Sequence, residues 1–189
     1  MWKDRSAGFG FVGYRGAFTQ GCAVLAGVLP SIESRGNLIR DAWDRLHAIP
    51  GGDALFHLLL RVMVPYTGAM GARVKAVRPG YAEVELAERW AVRNHLRSIH
   101  AIALANLVEL AGNIAVAYSL PDDARFIVKG IRMSYHKKAR GTIVATSTPP
   151  VVSSSARQAF EVKVEVRDQR GDLVCEGVLE TLVGPKKDG

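Results

Sequence analysis

From Ala101 to Ala117 the chain contains no lysine, arginine or aspartate, and Glu109 carries the only formal charge. A helix that is apolar nearly all round must be covered on most of its sides. The segment therefore predicts the central helix of a domain, wrapped by a sheet and closed by a second subunit. Asn106, Glu109 and Asn113 stand at i, i+3 and i+7 and so share one stripe of that helix. A lone carboxylate in such surroundings must find hydrogen-bond partners, face a water-containing cleft or bind a proton. Read by itself, the stripe fits a solvent-facing side as well as it fits a site.

The order of elements around this helix sets the fold class. Asn37 can cap a helix running to about Ala48, with Leu38, Ile39, Ala42, Trp43 and Leu46 on one face. Pro50-Gly51-Gly52 ends it. Asp53 is expected to cap a second helix from Ala54 to about Val64, stopped by Pro65. Both lead-in helices are expected to pack beside the main sheet. A strand follows near Ala69 to Val77, then a turn at Arg78-Pro79-Gly80 and a return strand from Tyr81 to Ala87. In the return strand apolar and acidic residues alternate with the period of a half-exposed strand. Ser98 is the expected cap of the central helix, which ends near Ser119-Leu120-Pro121. Only strands come after it: Phe126 to His136, Gly141 to Ser147, an alternating run around Phe160 to Val166, and Leu173 to Val183. Two strands, a long buried helix and four antiparallel strands make an α+β domain whose sheet can wrap the helix.

At 189 residues the chain is expected to hold one domain. Residues 1–36 read as a poorly ordered extension, with 37–189 as the domain, 37–64 as helical lead-in and 69–183 as core. The apolar patch from Cys22 to Leu29 behind Lys3, Arg5 and Arg15 loosely resembles a signal peptide. It is short, however, and no A-x-A-like site comes after it. No run of apolar residues reaches the roughly 18 to 20 expected of a membrane span. The two cysteines, Cys22 and Cys175, lie far apart without metal-ligand spacing. No disulfide framework and no structural zinc are expected, and a reducing, cytoplasmic setting fits. The net charge is +7, and between Asp123 and Glu161 seven arginines and lysines occur without an acid. That block favours an anionic partner. Nucleic acid is disfavoured, since aromatics are few there and no RNP, helix-turn-helix or zinc-finger pattern appears.

Asn94, His100, Ala101 and Glu109 stand where the hotdog-fold acyl-CoA thioesterases of the PaaI-like type carry their active-site segment. In that family an Asn lies six residues before a His-Gly pair that opens the central helix, and an acid comes about two turns later. The wording from Arg93 to Ala111 resembles more closely a related group of small hotdog proteins labelled DUF4442. So do Val64-Pro65-Tyr66-Thr67-Gly68 and Pro79-Gly80-Tyr81-Ala82. The resemblance spans roughly Leu38 to Val183. It departs from the family in having Ala101 in place of glycine and glutamate in place of aspartate.

The resemblance implies a hotdog fold, an antiparallel sheet around one long helix, and thioester hydrolysis. Glu109 is then the general base or nucleophile, Asn94 orients water or carbonyl, and His100 holds the loop or touches the thioester. The Ala101 N–H, in a helix first turn with unpaired donors and partial positive charge, stabilises the oxyanion. Asn106 and Asn113 line the substrate groove, and Lys137, Lys138 and Arg140 meet the phosphates of coenzyme A. No cofactor or metal is implied, since coenzyme A belongs to the substrate. Eight residues separate Ala101 from Glu109, about 12 Å of helix, so the two must act from different protomers of a homodimer or of a tetramer built from it. A hotdog that binds acyl-CoA without hydrolysing it, and a hotdog hydratase or dehydratase, remain open on the same residues.

Overall fold

The computed structural model describes residues 36–186. The expectations for residues 1–36 thus lie almost wholly outside the described residues. Helix α1 spans Leu38–His47, and the Asn37 carboxamide oxygen accepts the Arg40 N–H at 3.0 Å, the expected cap. The same side chain donates to the carbonyls of Ala117 and Leu120 at 2.7 and 3.0 Å, which sews the start of α1 onto the far end of the central helix. Helix α2, Gly52–Met63, begins two residues before Ala54. Asp53 does not cap it. Gly51 precedes the helix at φ 78°, and the Asp53 carboxylate instead meets His47 Nδ1 at 2.8 Å. A Cβ on Gly52 would lie 1.8 Å from the Leu46 carbonyl oxygen, so the corner between α1 and α2 closes only with glycine there.

Pro65 ends α2 but also opens a further helix, α3, Pro65–Met70. At a first helical position the missing N–H of proline removes no bond. Ala69 and Met70 are consequently helical, and β1 is Arg73–Arg78 rather than a strand from Ala69. The remaining elements are β2 (Tyr81–Ala87), α4 (Ala101–Ser119), β3 (Ala124–Tyr135), β4 (Thr142–Ser147), β5 (Gln158–Asp168) and β6 (Leu173–Pro185). The strands form one antiparallel sheet in the order β1-β2-β4-β5-β6-β3. Alternation read from sequence holds: Val84, Leu86, Val162 and Val164 are buried against α4, while Glu83, Glu161 and Lys163 sit on the other face. This is the hotdog arrangement.

Two glycines let the helix lie close to the sheet. A Cβ on Gly112 of α4 would stand 2.2 Å from Leu179 Cδ1, and one on Gly177 of β6 would stand 2.5 Å from Val108 Cγ1. On the side away from the sheet, α1 and α3 cover α4, which differs from their expected place beside the sheet, whereas α2 stands at the sheet edge beside β1, as expected. Besides the Asn37 contacts, Tyr118 of α4 donates to Asp44 of α1 at 2.8 Å, and Thr67 of α3 donates to Asn106 of α4 at 2.9 Å. Trp43 and Phe56 join the same continuous core as the sheet residues. The apolar character of α4 is therefore answered largely within one chain. By length and composition alone this 19-residue helix could cross a membrane, contrary to the reading of apolar runs. Its position against the sheet makes it the core helix.

Helix α2 also guards the free edge of β1, because His57 Nε2 accepts the Val74 N–H at 2.8 Å. Burial pushes the His57 pKa below its usual range, which keeps the accepting nitrogen unprotonated. Cys175 is buried, and burial pushes its thiol up to about 12. It is an inert core side chain. One buried polar atom, Thr181 Oγ1, has no hydrogen-bond partner. Thr181→Val keeps the shape and removes the unpaired hydroxyl, so it should stabilise the protein by about 1 kcal/mol. A lower denaturation midpoint in that variant would show that the hydroxyl is satisfied.

Candidate active site

The N-terminus of α4 is held by a compact loop. Asn94 organises it: its carboxamide oxygen accepts the N–H groups of Leu96 and Ser98 at 2.9 and 3.2 Å and the Ser98 hydroxyl at 3.2 Å. Arg97 takes a positive φ of 55° to complete the turn. The Ser98 side chain is thereby committed to Asn94, so the expected cap at Ser98 is not formed. His100 caps the helix instead, its Nδ1 accepting the Ile102 N–H at 3.1 Å. A capping Nδ1 carries no proton, which leaves Nε2 as the hydrogen-bond donor of the neutral ring.

The Leu104 N–H is taken by the His100 carbonyl at 3.1 Å. The Ala101 N–H makes no hydrogen bond among the described residues. It is a free donor at the positive end of a 19-residue helix. The cleft beside it, about 450 Å³, is lined by His100, Ile102, Ala103 and Asn106 of α4 and by Tyr66, Ala69 and Met70 of α3. Ala91, Val92 and Arg93 close the side that leads to Asn94. Tyr135, from the end of β3, donates to the Ala101 carbonyl at 3.3 Å and so joins the helix start to an edge strand.

Glu109 is half-buried, and neither it nor Asn113 has a hydrogen-bond or ion-pair partner among the described residues. Neither lines the cleft that holds Asn106, whose carboxamide oxygen is already taken by Thr67. The stripe read from sequence is thus divided along its length: Asn106 lines the helix-start cleft of its own chain, while Glu109 and Asn113 lie one and two turns farther on, half-buried and outside that cleft. On the wheel, Ile102 lies between Glu109 and Asn113, and Ala105 lies beside Glu109. Ile102 is 56% exposed. The expected site residues do not converge in one chain, and among the described residues no group of His, Cys, Asp or Glu could hold a metal ion.

The basic block separates into different roles. Arg132 pairs with Glu161 and Glu180 on the outer face of the sheet. Lys137 lies between Asp168 and Asp172 at 2.7 and 2.6 Å, and those carboxylates raise its pKa. It fastens the β5–β6 turn and is not an open cation. Lys138 and Arg140 are exposed and make no ion pair among the described residues. Their loop is stitched to the approach to α4 by the Ile99 N–H to the Ala139 carbonyl at 2.9 Å and the Gly141 N–H to Glu88 at 2.6 Å. The Gly141 N–H, with Arg93 beside it, holds the Glu88 carboxyl below its usual range. Thr67 and Tyr135 escaped the sequence reading, because pairing with Asn106 and Ala101 links elements far apart in the chain.

The family model for a domain of unknown function, DUF4442, matches residues 52–183. The chain belongs to the DUF4442 family. No curated protein matches it. Among solved structures, this DUF4442 protein is similar to a structural-genomics target with 26% identity and a TM-score of 0.69, covering 78% of this chain and 98% of the other. It is also similar to a protein of unknown function from Pseudomonas aeruginosa, at 20% identity, TM-score 0.63 and coverage of 72% and 97%. A thioesterase from Haemophilus influenzae matches at 16% identity and TM-score 0.58, over 65% of this chain and 85% of its own. The hotdog fold of the DUF4442 chain is shared with all three.

Proposed function

We propose that this protein is an acyl-CoA thioesterase whose active site forms between two copies of the chain. The observation that carries the reading is that one helix holds both an Ala101 N–H and a half-buried Glu109 that have no hydrogen-bond partner among the described residues. About 12 Å of helix separates them. A carbonyl at one helix start can therefore be served only by the Glu109 of a partner. The 12-residue edge strand β3 supplies a surface for that partner, with Ile127, Ile131 and Tyr135 exposed along it. The thioesterases among the solved relatives favour the same chemistry.

In this mechanism the thioester oxygen sits on the Ala101 N–H, and Asn94, whose amide nitrogen is uncommitted, orients the attacking water. Glu109 of the partner takes a proton from that water as oxygen adds to the carbonyl carbon. The tetrahedral oxyanion collapses, the C–S bond breaks, and the coenzyme A thiolate receives the proton back from Glu109. Water and acyl-CoA become a carboxylic acid and free coenzyme A, with no cofactor consumed. Lys138 and Arg140, carried on the loop stitched to Ile99, meet the coenzyme phosphates. Lys138→Gln with Arg140→Gln should raise KM for acyl-CoA several-fold at unchanged kcat, because such contacts are equal in ground and transition states. Equal losses on acyl-CoA and acyl-pantetheine would remove the two cations from the substrate site.

Turnover of an acyl-CoA panel by wild type and Ala101→Pro tests the reading. Position 101 is the first of the helix, where proline is accepted, and His100 at φ −66° and ψ 141° already has the conformation that precedes proline. The variant loses only the donor, and kcat should fall by a factor of roughly a hundred to a thousand at an unchanged melting temperature. Tight acyl-CoA binding without turnover in wild type would instead identify a non-catalytic acyl-CoA-binding protein.

A further inference from the structure

A cleft of about 690 Å³ lies away from the helix start, between α2, α3 and the free edge of β1. That volume falls within the roughly 300 to 1,000 Å³ of small-molecule sites. Its apolar lining comes from Leu58, Leu60, Val64, Ala72 and Leu110. Leu58 and Val64 remain 54% and 40% exposed at its rim, although an apolar side chain left in water gains nothing by staying there. Thr67 and His57, the polar residues of the wall, are internally satisfied by Asn106 and by the Val74 N–H. Neither calls for a polar ligand deep in the cleft.

The charge around this apolar lining is unbalanced. Arg61, Arg73 and Lys75 line the cleft, all are exposed, and none has a hydrogen-bond or ion-pair partner among the described residues. Several other cations of the fold are matched, Arg132, Lys137, Arg93 and Arg167 each holding a carboxylate, whereas these three converge unpaired on one apolar cleft. The one carboxylate lining the cleft, Asp53, is bonded to His47. Three open cations beside a leucine-lined hollow are complementary to a molecule that is negative at one end and aliphatic along the rest.

We propose that this cleft binds a single-chain anionic amphiphile, its carboxylate or phosphate head on Arg61, Arg73 and Lys75 and its alkyl chain against Leu58, Leu60, Val64 and Leu110. The site is separate from the helix-start cleft: the Thr67–Asn106 hydrogen bond forms part of the wall between them. It does not depend on Glu109. A long-chain acid, or a lipid phosphate, bound here occupies the protein whether or not the thioesterase reading holds.

The test is direct titration of the full-length protein, by calorimetry below the micellar range, with dodecanoate, dodecyl phosphate, dodecanol and dodecyltrimethylammonium. One or both anions should bind saturably at one per chain, and which of them binds identifies the head group. Dodecanol and the cation should bind at least about tenfold more weakly, and the triple variant Arg61→Gln, Arg73→Gln, Lys75→Gln should lose at least about tenfold for the anions. Leu58→Ser with Val64→Ser should weaken dodecanoate too, since the tail loses its apolar rim. Glu109→Gln should bind like wild type, which keeps this result apart from the fate of the hydrolase mechanism. Comparable binding of all four amphiphiles, or wild-type affinity in the triple variant, would overturn the proposal.

Discussion

Glu109→Gln is expected to lower kcat for acyl-CoA hydrolysis by about a hundredfold or more, as loss of a positioned general base does. The substitution preserves shape, and the carboxylate makes no hydrogen bond or ion pair among the described residues of its own chain, so the melting temperature should hold or rise. Mixing this variant with Ala101→Pro decides where the two groups meet. In a symmetric dimer each site takes Ala101 from one chain and Glu109 from the other. Random exchange makes half of the dimers mixed, and each mixed dimer has one intact site. The mixture should therefore recover about a quarter of wild-type activity, although either parent alone is nearly inactive. Absence of recovery after proven subunit exchange would place both groups in one chain's site and defeat the shared-site mechanism. Full activity of Glu109→Gln alone would leave the carboxylate without a chemical role.

The second large effect concerns how closely the helix sits on its sheet. Gly177→Ala puts a methyl group where Val108 Cγ1 stands 2.5 Å away and Met133 Sδ 2.9 Å away. Met133 can swing aside, but Val108 is β-branched and stiff at χ1 in a helix. Relief requires the whole of α4 to lift, so the expected loss is about 2 to 3 kcal/mol, the upper range for overpacking. Gly184→Ala on the same strand is the control, since nothing lies within 4 Å of its Cβ. Its effect should stay within about 0.5 kcal/mol. Urea denaturation of the two variants measures both. Equal midpoints would mean that helix and sheet are less closely seated than their glycines indicate. A lifted α4 would also shift the Ala101 N–H, so Gly177→Ala should lose activity beyond its loss of stability.

The elements themselves were legible because their signals are local. Alternation in Tyr81–Ala87 marks a strand with one face covered, and the uncharged run after Ala101 marks a helix that must be enclosed. Asn37 capped its helix as read, since a cap is a contact across three residues. Near misses arose where two local candidates competed. Ser98 is a good cap by residue type, but Asn94 takes its hydroxyl and His100 takes its place. Pro65 both stops one helix and starts another, and a stop signal carries no information about the next element.

The sequence by itself determined the hotdog order of elements, the burial of α4 and the isolation of Glu109 on it, because periodicity and charge are properties of neighbouring residues. Only the tertiary structure decided what covers that helix. Asn37, Asp44 and Thr67 reach it from the lead-in helices, through contacts between residues distant in the chain. The same long-range pairing tied Lys137 to Asp168 and Asp172, leaving Lys138 and Arg140 as the open cations of the 136–141 loop. It also divided one polar stripe, bonding Asn106 to Thr67 while leaving Glu109 without a partner among the described residues. A stripe is set by the helical repeat. Which of its residues meets a partner is set by how the surrounding helices and strands pack in three dimensions.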